Sequence, residues 1–127
     1  MTVSSSRAAP STVSGEQAIP VLRVRDAGTS VAWYRRLGFE PEWEHRFGPG
    51  FPTFVSIARG QVRLFLSEHL GDTVPRSVVY LRLSGLEALA AELDTVPEET
   101  DWQTRELTLH DPDGNRVRVG VLANPAP

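Results

Sequence analysis

One pattern of elements is written twice along this chain, and it leaves few folds open. Residues 19–25 alternate as a short strand, with Pro20, Leu22 and Val24 on one side and Ile19, Val21, Arg23 and Arg25 on the other. Asp26 can cap a helix reaching Leu37, with Val31, Tyr34 and Leu37 near helical spacing and Gly38 as its stop. Three short strands are expected next, at 41–47, 51–58 and 61–67, divided by the turns Gly48-Pro49-Gly50 and Arg59-Gly60. After a loop from Glu68 to Arg76 the plan restarts. A strand at 78–83 leads into a capping-box spacing from Ser84 to Glu87, and Leu86, Leu89, Ala90 and Leu93 stripe a second helix. Residues 96–101 carry no clear pattern; strands at 105–110 and 116–122 follow. Two βαβββ modules, 18–67 and 77–122, therefore make an α+β domain at 17–124. A helix must cover one face of each sheet, which leaves the other face free to curve around a cleft.

Residues 1–16 are rich in Ser, Thr, Ala and Pro without period, and are expected to form a disordered tail. Composition excludes several chemistries. With no cysteine there is neither a disulfide framework nor a thiol nucleophile. All 13 basic residues are Arg, which rules out a lysine Schiff base. The net charge of −3 and the lack of a basic run argue against a nucleic-acid partner. No apolar stretch is long enough to span a membrane, and no apolar segment follows Met1, so a cytoplasmic location is expected.

The last two strands are joined by Asp111-Pro112-Asp113-Gly114-Asn115, in which Pro112 presets φ and Gly114 supplies a permissive backbone. This turn, together with residues 19–26 (from Ile19 to Asp26), 32–39 (from Ala32 to Phe39), 66–72 (from Leu66 to Asp72) and 102–115, resembles the glyoxalase/bleomycin-resistance (vicinal oxygen chelate) family. The resemblance spans residues 18–122. It implies cup-shaped sheets, commonly in a homodimer, with ligand held in clefts shared between subunits in the antibiotic-binding branch. It also marks Pro20 as a hinge where a first strand is exchanged between copies.

Enzymes of that family bind a divalent metal with His and Glu. The resemblance places their usual ligand positions on Ile19, on Ser77 or Val78, and on Arg118, with Arg63 or Phe65 at a fourth. None of these suits a divalent cation, and a guanidinium repels one. A rebuilt site from His45, His110 and Glu106 is the alternative to weigh. Glu40, Glu42 and Glu44 alternate onto one strand face and read as a solvated edge. Glu106 is open to two roles, a general base in the cleft or an ion-pair partner of Arg105 or Arg118.

Parity assigns Leu22, Val24, Val79, Leu81, Leu83, Leu107, Leu109, Val117 and Val119 to the helix side. The opposite parity gives the candidate ligand-binding face: Trp43, His45, Phe47, Phe54, Ser56, Arg63, Phe65, Val78, Tyr80, Arg82, Thr108, His110 and Arg118, with Trp102 in a loop at its mouth. Aromatic rings and arginines in this number suit a planar organic ligand with polar groups. Each ring also has a plain packing role: Trp33 and Tyr34 in the core or a dimer contact, Trp43, Phe47 and Phe51 as anchors of the Gly-Pro-Gly turn. The expected function is metal-independent sequestration of a toxic aromatic natural product of the bleomycin or enediyne type, with no cofactor and no catalytic residue. The alternative is a lyase, isomerase or dioxygenase of the same family.

Overall fold

The computed structural model describes residues 15–123. The first module contains β1 (Val21–Arg23), α1 (Ala27–Arg35), β2 (Glu40–His45), β3 (Phe54–Arg59) and β4 (Val62–Ser67). The second contains β5 (Val78–Arg82), α2 (Leu86–Glu92), β6 (Glu98–Glu99), β7 (Thr104–His110) and β8 (Arg116–Leu122). Each module forms a four-stranded sheet, in the orders β1-β4-β3-β2 and β5-β8-β7-β6. In both, the first strand lies parallel to the last and the remaining pairs are antiparallel. The doubled α+β plan is thus realised. Of the expected N-terminal tail, residues 1–14 lie outside the described residues.

Alternation decides which side of each sheet is buried. Leu22, Val55, Ile57, Leu64 and Leu66 bury one face beneath α1; Val79, Leu81, Leu107, Val117 and Val119 bury the other beneath α2. Leu109 is half-buried against the same core. Tyr34 is completely buried, so its role is in the core, with Trp33 packed edge-on at 4.8 Å between ring centres.

Two local expectations change. Asp26 caps α1 as expected, its Oδ2 accepting from the Thr29 amide at 3.0 Å, but the helix stops at Arg35 rather than Leu37. Ser84 does not cap α2. Gly85 holds that position at φ +76°, without a side-chain cap, and the Ser84 carbonyl instead accepts from Arg59 at 2.9 Å. The left-handed residue starts the helix one position later, which takes Ser84 out of capping register.

The two modules are fastened by the turn between β7 and β8. Asp111 Oδ1 accepts from the backbone amides of Asp113 and Asn115, both at 2.9 Å, which closes the turn on itself. Its Oδ2 accepts from the Tyr34 hydroxyl at 2.8 Å, reaching across to α1. Asn115, fully buried, donates to the Arg23 carbonyl of β1 at 3.0 Å and accepts from the Ser77 amide beside β5 at 2.9 Å. One side chain thus satisfies backbone groups at the leading strand of both modules. Pro20 sits directly before β1, and its carbonyl accepts from the Phe65 amide at 2.9 Å, so the first strand is docked on its own module.

Asn115→Ala removes these cross-module bonds and leaves partly buried backbone groups unpaired, for an expected loss of roughly 1–3 kcal/mol. Tyr34→Phe removes one donor from an Asp111 that keeps three others, for a loss of about 1 kcal/mol. Urea unfolding of both variants checks the order; equal losses would show that Asn115 is not the fastening residue.

Candidate ligand-binding site

The sheet faces turned away from the helices carry the candidate residues, in two clusters of unlike chemistry. On the first sheet Trp43, Ser56 and Phe65 stand in one cross-strand row, with His45, Phe54 and Ser67 in the next. Trp43 stacks on Phe54 at 6.0 Å and an interplanar angle of 12°, and lies 5.6 Å from Phe65; Phe54 and Phe65 are 5.1 Å apart. The outer ring of this trio, Trp43, is 49% exposed, which leaves an apolar platform open to solvent. Phe47 does not join it. That ring packs on His45 at 4.6 Å and Phe51 at 6.4 Å, around the Gly48-Pro49-Gly50 turn, which is the anchoring role.

Beneath the trio lies a polar floor that alternation alone misplaces. The pairing of β2 with β3 shifts between Pro41 and Trp43, a bulge that leaves Glu42 without a partner in register and sets Glu40, opposite Ala58, and Glu44, opposite Val55, on different faces. Glu42 accepts from Arg63 through both carboxylate oxygens, at 2.9 and 2.7 Å, and from Ser56 Oγ at 2.9 Å. Burial works to raise the Glu42 pKa, but the hydrogen bonds from Arg63 and Ser56 hold it below the ordinary value. β2 is the exposed edge strand of its sheet, as expected for the three glutamates, but they do not share one face: Glu40 pairs with Arg35 at 3.0 Å, while Glu42 is bonded to Arg63 and Ser56 on the site face. Ser56 is fully buried and committed to Glu42, so it is floor rather than ligand contact.

The second sheet centres on Glu106, which is only 6% exposed. Its Oε1 accepts from Arg118 at 2.7 Å. Its Oε2 accepts from Tyr80 and Thr104, both at 2.8 Å, and from the Trp102 indole at 3.1 Å. Burial works to raise the Glu106 pKa; the Arg118 guanidinium and the bonds from Thr104, Trp102 and Tyr80 outweigh it and hold the value at about 2. A carboxylate so satisfied is no general base near neutral pH. Of the two roles open to Glu106, the geometry selects the ion pair with Arg118; Arg105 is turned away to Glu87 and Glu99. Burial pushes the Tyr80 phenol up, and its bond to Glu106 adds to the shift. The Arg82 and Arg118 guanidinium carbons lie 5.7 and 5.3 Å from the Tyr80 ring centre.

Gly120 makes this cluster possible. It stands between Arg82 and Glu106 in register, and a Cβ there would collide with the Tyr80 hydroxyl and sit 3.1 Å from Glu106 Cγ. The signal was available in the sequence, because a glycine inside a strand marks the close approach of another group. Glu42 had no comparable signal.

The expected residues are thus brought together in part. Trp43, Phe54, Phe65, Arg63 and Ser56 form one cluster; Tyr80, Arg82, Arg118 and Trp102 form the other. Thr108 is exposed opposite Arg118, His110 is exposed opposite Arg116 at the end of β7, and Val78 is exposed on the same face. No hydrogen bond, ion pair or ring contact among the described residues links the two clusters. Nor do His45, His110 and Glu106 assemble: among the described residues no group of three or more His, Asp or Glu could hold a metal. Ile19, Val78 and Arg118 offer no donor for a divalent cation, so the residues do not fit the metal of the family's enzymes.

Comparison with known proteins agrees with the fold. A family model described as glyoxalase superfamily protein matches residues 4–124. By sequence, no curated protein matches the chain. Among solved structures, a bleomycin-binding protein complexed with bleomycin is 25% identical over 84% of this chain and 98% of its own, with a TM-score of 0.67. A transposon-encoded bleomycin resistance determinant is 25% identical over 87% of this chain and 100% of its own, with a TM-score of 0.69. A glyoxylase/bleomycin resistance protein/dioxygenase domain from Frankia sp. EAN1pec is 19% identical over 91% of this chain and 96% of its own, with a TM-score of 0.70.

Two outcomes test the second cluster. Gly120→Ala should displace Tyr80 and destabilise the protein by about 1–3 kcal/mol, read by thermal unfolding. Glu106→Gln removes a carboxylate whose folded pKa is depressed, so its ionised form stabilises the fold above the unfolded value of 4.5 and loses that contribution as pH falls towards about 2. The stability gap between wild type and Glu106→Gln should therefore narrow across that window. A gap constant from pH 6 to about 2 would show that the carboxylate charge contributes nothing.

Proposed function

The chain belongs to the glyoxalase superfamily, and from that premise we propose that it binds and sequesters a planar aromatic natural product of bleomycin type without using a metal. The observation that carries this reading is the 2.7 Å pair between Arg118 and Glu106. Family resemblance puts a metal-ligating carboxylate at position 118, and here that position holds a cation engaged with its own counter-ion. The likeness to two bleomycin-associated structures supports the ligand class.

The mechanism is stoichiometric capture. Trp43, Phe54 and Phe65 offer stacking surface, and their rings constrain one another before a ligand arrives, which lowers the ordering cost of binding. Trp102 is 62% exposed, yet its indole N–H is held by Glu106. The ring is therefore fixed at one edge while a face stays open. Tyr80, Arg82 and Arg118 supply polar contacts, with Thr108 and His110 at the rim. Because the two clusters do not touch within one chain, the reading places the ligand between two copies, the aromatic face of one opposite the polar face of its partner. Arg63 serves as floor, its charge already engaged by Glu42.

Calorimetric titration with bleomycin tests this. Binding at one ligand per chain is expected, and Trp102→Ala should weaken it roughly tenfold or more while leaving the unfolding midpoint near wild type. Unchanged affinity in that variant removes Trp102 from the site. Stoichiometric iron, manganese, nickel or zinc that depends on His110 would instead favour the enzymatic reading. Arg118→Glu should not create tight metal uptake, since Ile19 and Val78 still lack donor atoms.

A further inference from the structure

Away from both clusters, a groove of about 530 Å³ opens where the two modules meet. Arg23, Arg25 and Arg76 stand around it, with Leu70 and Pro75 as its apolar wall. The carboxylates that also line it are already hydrogen-bonded. Glu68 accepts from the Ala27 amide at 2.7 Å and the Thr53 amide at 2.9 Å, one oxygen each, so both are bound to backbone. Asp113 is bonded to Arg25 at 2.9 Å and to Ser30. Arg25 is thereby balanced; Glu68 keeps its charge, so three arginines face two carboxylates and the lining carries one net positive charge.

Arg23 donates through Nη2 to the Leu70 carbonyl, but its Nε is buried with no partner among the described residues. Arg76 has φ +56°, in the left-handed region that non-glycine residues rarely enter. Its stem lies over Gly114, where an added Cβ would sit 3.3 Å from Arg76 Cγ, and its guanidinium has no acceptor among the described residues. The backbone of the connecting loop therefore sets the exposed Arg76 at a groove that Arg23 also lines.

We propose that this groove binds a small organic oxyanion, a carboxylate or phosphate carried on a compact apolar body. Arg76 binds the oxygens, Arg23 adds positive charge along the wall, and Leu70 and Pro75 cover the body. Planar guanidinium groups match such oxyanions in both charge and hydrogen-bond geometry, and the volume is that of a small-molecule pocket. The site is independent of the aromatic platform, since none of the three stacked rings lines it.

The test uses inorganic phosphate and citrate as separate probes, titrated into the full chain by calorimetry at constant ionic strength, with chloride as control. Binding of at least one probe below about 10 mM is expected, weakened roughly tenfold in both Arg23→Ala and Arg76→Gly, and unchanged in Arg105→Ala. Arg76→Gly relieves the positive φ, so it keeps the fold even if Arg23→Ala loosens the loop at Leu70. Preference for citrate assigns the site to carboxylates and preference for phosphate to phosphoryl groups. Failure of both probes to bind, equal response to chloride, or an equal loss in Arg105→Ala would overturn the proposal.

Discussion

Everything on the site faces depends on how Asp111 and Asn115 spend their hydrogen bonds. Asn115 ties the carbonyl of Arg23 in the first module to the amide of Ser77 in the second, and Asp111 anchors Tyr34 of α1. The Tyr34–Asp111 bond is buried and Asn115 is fully buried, while its partners at Arg23 and Ser77 are partly buried, so losing these bonds leaves Asn115 and Asp111 with polar groups that water reaches poorly. Burial and the neighbouring Asp111 charge push the Tyr34 phenol far above its ordinary range, which keeps it a donor at any physiological pH. The turn therefore fixes the position of one sheet against the other, although no strand pairing crosses between them.

Two sheets of the same topology have been given opposite surfaces. The first presents rings, with its ion pair beneath them; the second presents an ion pair at its centre, with one ring edge attached to it. In each case an arginine of the module's last strand engages a glutamate of the same sheet. This places charge on the floor of both faces while leaving the outermost contacts to aromatic carbon. The stability of each pair comes from its hydrogen bonds and partial burial, since exposed ion pairs contribute little.

The fold was legible in the sequence because the signals were local and repeated. Strand parity sorted Leu22, Val79, Val117 and Val119 from Trp43, Tyr80 and Arg118 correctly, and Asp26 announced its helix. Where reading failed, a backbone irregularity had intervened. The bulge at Glu42 reversed parity over two residues, and Gly85 in the left-handed region moved the start of α2 past Ser84. Neither leaves a residue pattern that alternation can detect. The candidate residues could be picked out by type and parity, but their division into two clusters could not. That division follows from which strands pair, and the spacing of residues along the chain does not encode it. Gly120 is the instructive omission: its side-chain-free position was visible, and only the structure identifies Tyr80 as the group that occupies the space.

The Arg118–Glu106 pair also bears on how readily this face could change over evolutionary time. A carboxylate introduced at position 118 would stand against Glu106 inside a half-buried network, with like charges in contact. Replacing Glu106 first would strip the acceptor from Arg118, Tyr80, Thr104 and Trp102 together. Each single step lowers fitness of the fold before the second can compensate it, so the two residues have to change jointly. A descendant lineage is therefore held near its present chemistry by the mutual dependence of these two side chains, whatever selection acts on the ligand.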